Sequence, residues 1–168
     1  YMIEPPQPVH ETPRTKRLYF GHPVNVYGTP FQKLLLSVIG PAFPSWEIVN
    51  PDAPEHSAAY EAYAKTRVDG DGKPTGMGYF FEVILPTCQG GVFLPFRDGM
   101  FGKGVFGEAE WLLTRKFPIW EISSIGVILP IQRLDAARRL SRDETRARIR
   151  HADGTTKPYE LLASPRTA

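Results

Sequence analysis

A chain of 168 residues, 42% hydrophobic and 23% charged, has the length and mix of one globular domain with a real core, and is too short for two ordinary ones. Its net charge of +2 is too small to argue for nucleic acid, and its single cysteine, Cys88, excludes an intrachain disulfide or a zinc site built on several thiolates. No apolar run approaches the ~20 residues of a membrane span and no charged-then-apolar leader opens the chain, so the expectation is a cytoplasmic protein with no membrane partner.

Residues 1–16 carry prolines 5, 6, 8 and 13 and read as an extended arm, free or laid on a neighbouring subunit. The body, 17–150, then alternates. RLYFG (17–21) is a short apolar run ending in glycine and predicts a buried strand. In TPFQKLLLSVIG (29–40), Thr29 is a cap residue and Pro30 suits the first helical position. Phe31, Leu34, Leu35 and Val38 share one helical face, and Gly40-Pro41 is expected to end the helix. WEIVN (46–50) predicts a second strand, followed by a loop that becomes helical near Pro54. RVDGDGKPTG (67–76) is a glycine-rich turn: counting from Asp69, the twelfth position of a calcium loop is Phe80, not glutamate.

MGYFFEVILPTC (77–88) is helix-like, with enough aromatic and β-branched residues to leave a strand open. GGVFLPF (90–96) predicts a buried third strand. VFGEAEWLLTRK (105–116) predicts a helix with basic residues in its last turn. PIWEIS (118–123) predicts a fourth strand and GVILPI (126–131) a fifth. LSRDETRARIR (140–150) opens with Ser141 and Glu144 at capping-box spacing. Residues 151–168 read as a polar C-terminal tail.

Strands alternating with helices predict an α/β domain: a doubly wound, flavodoxin- or Rossmann-like parallel sheet of four to five strands with helices on both faces. Ligands of such sheets bind beyond the carboxyl ends of the strands. The loops after strands one, two and three therefore hold the candidate substrate contacts: His22, Asn25 and Tyr27; Asn50, Asp52 and His56; Arg97, Asp98 and Lys103. In RDGMFGKGVFGEAEWLL (97–113), Gly99, Gly102 and Gly104 permit close backbone approach. A helix opening just after Gly104 offers unpaired amides to a phosphate, carboxylate or sugar hydroxyl. No GK[ST] follows, so this is not a P-loop, and the GxGxxG spacing of Gly102, Gly104 and Gly107 lacks its downstream context. Glu108 falls about one turn into the helix and can point back to the crevice, whereas Glu110 faces elsewhere. Beside apolar Val105, Phe106, Trp111 and Leu112, a carboxyl at that place is expected to have a raised pKa and to suit acid, base or nucleophile roles. A glutamate that merely stabilises the helix dipole is the plainer alternative.

RLYFGHP, followed much later by GGVFLPFRDGMFGKGVFGEAEWLL, resembles the nucleoside 2-deoxyribosyltransferase superfamily, which includes N-glycoside hydrolases acting on nucleoside monophosphates. These two stretches make up about a fifth of the chain, and within them the shared patches are Tyr19-Phe20-Gly21-His22-Pro23, Asp98-Gly99, and Gly104-Val105-Phe106-Gly107-Glu108. The resemblance implies that Glu108 attacks the anomeric carbon of a nucleoside or nucleotide, that Asp98 sits by the base or sugar, and that subunits complete one another's pockets in a homodimer or larger oligomer. Two positions depart from the pattern. His22 stands where a small residue is usual, and Cys88-Gln89 stand where an acidic residue usually precedes the third strand. Two alternatives follow: a nucleotide-sensing module of the same fold without chemistry, and a nucleic-acid-associated protein.

The last alternative rests on seven arginines between Arg133 and Arg150, read more plainly as a solvated helix face. Their stretch has no aromatic residue for base stacking. His22 and His56, with Asp52 and Asp98, lack metal-ligand spacing, so neither a metal nor another cofactor is expected. Cys88 reads as a buried core thiol.

Overall fold

The computed structural model describes residues 15–66 and 77–159. The expectations for the proline-rich arm, the DGDGK turn and the end of the tail lie outside the described residues. Five strands form one sheet: β1 (Lys16–Gly21), β2 (Trp46–Val49), β3 (Gly90–Phe93), β4 (Ile119–Ile122) and β5 (Ile128–Ile131), in the order β2-β1-β3-β4-β5. The pairs β1–β2, β1–β3 and β3–β4 are parallel. The helices are α1 (Pro30–Ala42), α2 (Pro54–Ala64), α3 (Met77–Tyr79), α4 (Lys103–Thr114) and α5 (Arg142–Ile149). The fold is thus α/β with a mostly parallel sheet.

Alternation along the strands sorts the core into two layers. Leu18 and Phe20 of β1 join Val92 and Leu94 against Leu35 and Ile39 of α1. Tyr19 and Phe93 face the other way, against Val105, Phe106, Ala109 and Leu112 of α4. Gly21 is required where β1 passes under the Phe93 ring: a Cβ there would lie 2.5 Å from Cδ1 of Phe93.

The fifth strand departs from the expected all-parallel sheet, because β5 runs antiparallel to β4. The link between them is a tight turn closed by the Ser123 amide to Val127 O and the Gly126 amide to Ser123 O, with Gly126 at φ +84°. So short a link permits a hairpin and not a crossover. Thr29 caps α1 as expected, its side chain accepting from the Gln32 amide. Gly40-Pro41 does not end the helix, however. α1 continues to Ala42, because a proline in the final turn forfeits one intrahelical bond without preventing the Phe43 amide from closing on Ile39 and Gly40. The 77–88 stretch is helical, with α3 running on as a π turn, Phe80–Ile84, and a 3-10 turn, Leu85–Thr87.

α4 begins at Lys103 and ends at Thr114, so Arg115 and Lys116 lie beyond the last turn in which they were expected. The Arg115 guanidinium stacks 3.6 Å over the Trp111 ring. The capping box at Ser141 and Glu144 is complete. Of the expected polar tail, residues 151–159 fold back onto the body. Tyr159 is buried, its ring stacks on Phe31 and its hydroxyl donates to Pro95 O at 2.7 Å.

Candidate active site

The chain's progress across the sheet reverses at β1, which has β2 on one side and β3 on the other. Beyond the carboxyl ends of these three strands lies a cavity of about 510 Å³, a size that suits a small organic molecule. His22, Pro23 and Tyr27 enter it from the loop after β1, Pro51 and Asp52 from the loop after β2, Phe96 and Gly102 from the loop after β3, and Gly104 from the first turn of α4. α2 and α3 with its π turn add Tyr60, Glu61, Phe80 and Phe81, and α5 closes the top with Thr145 and Ile149.

Glu108 projects into this cavity from α4 and is only 6% exposed. Strand alternation turns the Tyr19 side chain toward α4, and its hydroxyl donates a short hydrogen bond to Glu108 Oε2. Among the described residues Oε1 accepts no hydrogen bond, and the Glu108 side chain lines the cavity. Burial pushes the carboxyl up to about 8, and the Tyr19 hydroxyl opposes that by favouring the anion. Burial and the nearby Glu108 in turn keep the Tyr19 proton on its oxygen. Tyr27 is likewise raised by burial first, then by the charges of Glu108 and Asp52. It stays a phenol at any ordinary pH and remains a donor.

His22 does not project freely into the pocket. Its Nδ1 lies 2.9 Å from Phe20 O and its Nε2 2.7 Å from Gln32 Oε1, and its ring stacks on Phe20. Gln32 Nε2 donates to Asp52 Oδ2 at 3.0 Å, where the Gly28 amide donates as well. A single chain of hydrogen bonds therefore ties the loops after β1 and β2 together beneath the cavity. Burial holds His22 below its ordinary value, against the two acceptors that favour the protonated ring.

Of the candidate residues, Glu108, His22, Tyr27, Asp52, Gly102 and Gly104 meet at the cavity. Asp98 does not. Its Oδ2 takes both Nη2 (2.7 Å) and Nε (2.9 Å) of Arg148, and its Oδ1 takes the Met100 amide. The partner that engages it stands 50 residues away in the sequence, beyond the reach of any local pattern. Asn25 is a clamp, donating to Arg148 O and Lys157 O. Asn50 closes its own turn by accepting from the Asp52 amide. The Arg97 guanidinium lies 5.3 Å from the Tyr159 ring centroid. Gly99 shapes the turn after β3 with φ +83°, outside the cavity. Lys103 lines a separate surface cleft with Glu110 and Arg139, while its amide donates to Thr145 Oγ1.

Tyr19, Tyr60, Phe80, Phe81 and Glu61 are site residues that the sequence reading did not assign. For Tyr19 the signal was its phase in β1, opposite to Leu18 and Phe20. His56 is buried within hydrogen-bond reach of Tyr79, at 3.4 Å. Among the described residues, no group of three or more histidines, cysteines, aspartates or glutamates is placed to hold a metal ion. Cys88 is buried, and burial raises its thiol. The C-terminal arginines are partly committed to the fold. Arg138 makes a bidentate pair with Glu121 (2.7 and 2.8 Å), and Arg148 pairs with Asp98. Among the described residues, no helix is long and apolar enough to cross a membrane.

Fold and site together define an α/β protein with a buried carboxyl lining an aromatic-walled cavity at the carboxyl edge of its sheet. No protein-family model, curated protein or solved structure matches the chain.

Proposed function

We propose that this protein cleaves or transfers the N-glycosidic bond of a nucleoside-type substrate, with Glu108 as the nucleophile, on a doubly wound sheet of the flavodoxin type. One observation carries the reading: a carboxyl more than nine-tenths buried and fixed through one oxygen by Tyr19 lines a cavity of nucleoside size. Breaking an N-glycosidic bond builds positive charge on the sugar ring. A carboxylate beneath the anomeric carbon stabilises that charge and traps it as a glycosyl ester, which water or an acceptor base then opens. Tyr19 holds Glu108 in place and favours its ionised form. The Tyr27 hydroxyl supplies a donor for a sugar oxygen.

The test is base release from a panel of nucleosides and nucleotides, followed by chromatography. Glu108→Gln is expected to lower kcat/KM by at least about 10³-fold, the scale for loss of an attacking group. The attacking form is the carboxylate, so kcat/KM of the wild-type protein rises with pH through about 8. If Glu108→Gln keeps wild-type turnover, the assignment is wrong. A binding module without chemistry is the second reading. It is favoured by the engagement of Asp98 with Arg148, which takes away the carboxylate that the resemblance puts by the base or sugar. Ligand binding without turnover for every member of the panel decides for it.

A further inference from the structure

The cavity's acidic side chains have no basic counterpart. Asp52 and Glu61 line it beside Glu108, which becomes charged when it ionises, and among its described lining residues there is no lysine or arginine. Its walls are aromatic: Tyr60 and Phe80 stand 5.8 Å apart, continued by Phe81, Phe96 and Tyr27. Carboxylates with aromatic faces are the surroundings that hold an organic cation, and they repel a phosphate.

The proton donors give a second, independent indication. A neutral base leaving a sugar needs a proton. Both His22 ring nitrogens face acceptors of the fold, Asp52 Oδ2 accepts two N–H groups, and Asp98 is held by Arg148 outside the cavity. The phenols of Tyr19 and Tyr27 are both weakened as acids by burial. Among the described lining residues, the exposed Glu61 at the rim aside, these groups offer no free acid, which favours a leaving group that departs without a proton.

We infer that the cavity takes a positively charged N-glycoside, a sugar joined to a heterocycle that bears a cationic charge delocalised onto its glycosidic nitrogen, of the pyridinium riboside or N7-alkylpurine nucleoside class. The inference rests on the reading of Glu108 as the attacking group. Glu108 Oε1 forms a bond to the anomeric carbon as the C–N bond breaks. The electron pair of that bond goes to the ring nitrogen, which neutralises the heterocycle, and no proton is transferred. Water then opens the ester, giving the free sugar, the regenerated carboxylate and one proton released to solvent. A bound cation beside Glu108 also favours its ionised form, so the substrate helps to prepare the nucleophile.

The experiment compares two matched pairs: nicotinamide riboside against its uncharged 1,4-dihydro form, and 7-methylguanosine against guanosine. Base release by the wild-type protein is measured, together with calorimetric binding to the Glu108→Gln variant. The cationic member of each pair is expected to show at least about 100-fold higher kcat/KM, since only its transition state is served without an acid. Glu61→Gln, a change at an exposed position, is expected to lower kcat/KM for nicotinamide riboside about fivefold, the worth of one charge at a wet rim. That loss shrinks as salt rises. Release from guanosine or the dihydro riboside as fast as from the cations overturns the charge preference and leaves the attack by Glu108 standing. Tight binding of the cations to Glu108→Gln with no release by the wild-type protein overturns the cleavage. Neither binding nor release with any of the four overturns both.

Discussion

Glu108 and Tyr19 share one hydrogen bond with opposite consequences for the two groups. The phenol donates, so it favours the carboxylate against a burial that favours the acid. Removing the donor leaves burial unopposed. Tyr19→Phe is therefore expected to move the rising limb of kcat/KM to higher pH than in the wild-type protein. It is also expected to lower kcat/KM below that limb by roughly 10–100-fold, the worth of a hydrogen bond to a charged group. A pH–rate profile checks this, and an unmoved limb would mean that Tyr19 only fills space. At this scale the sequence was readable where chemistry is local. Glu108 stands one turn into a helix among apolar neighbours, and that alone placed it at the crevice with a raised pKa. Asp98 and Arg97 were unreadable because their positions are set by Arg148 and Tyr159, brought from more than 45 residues away by the final fold.

α5 is the polar element that completes one side of the cavity. It is short, and it is held by Arg148 to Asp98, Thr145 Oγ1 to the Lys103 amide, Asn25 to the Arg148 carbonyl, and Lys157 to the carbonyls of Ala147 and Ile149. Through Thr145 and Ile149 it forms one wall of the cavity. Arg148→Ala is expected to cost only about 1 kcal/mol of global stability, as a partly exposed ion pair does. It is also expected to speed amide exchange across residues 142–149 and to raise KM for whatever occupies the cavity. Exchange across α5 that matches the wild-type protein would show that Asn25, Thr145 and Lys157 suffice. The sequence showed the capping box of α5 and the Thr29 cap of α1, since both act within one turn. It did not show that α5 packs over the crevice, nor that β5 runs antiparallel. Each depends on which surface a polar segment finds, and neither apolar period nor spacing encodes that.

For the whole molecule, the buried ionisable groups set a pH dependence of stability. Glu108 keeps its proton in the folded state up to about 8, whereas the unfolded chain loses it near the ordinary carboxyl value of 4.5. The folded state thus binds more protons across that window, and stability falls as pH rises through it. His22 has the opposite sign. Its folded value lies below 6.5, so the stability it contributes is present above that value and lost as pH falls. Glu108→Gln removes the first effect and leaves the second. Its Tm relative to the wild-type protein is expected to climb between pH 5 and pH 8.5, by roughly 5–10 °C for a few kcal/mol in a domain of this size. Thermal melts at the two pH values test it, and a constant difference would show that the carboxyl is solvated.

The sequence by itself determined the α/β class, the order of elements, the three loops at the carboxyl edge, and Glu108 among apolar neighbours. All of these follow from periods of two or 3.6 residues, from caps and from turn chemistry, which act over a few positions. The tertiary structure decided what surrounds Glu108: a tyrosine from β1, an aromatic wall from α2 and the turn after α3, a lid from α5, and a hydrogen-bonded base of His22, Gln32 and Asp52. It also removed Asp98 and Lys103 from that company. Burial, pairing and the charge of a cavity are properties of residues distant in the chain, and they exist only once the packing of both faces of the sheet has brought those residues together.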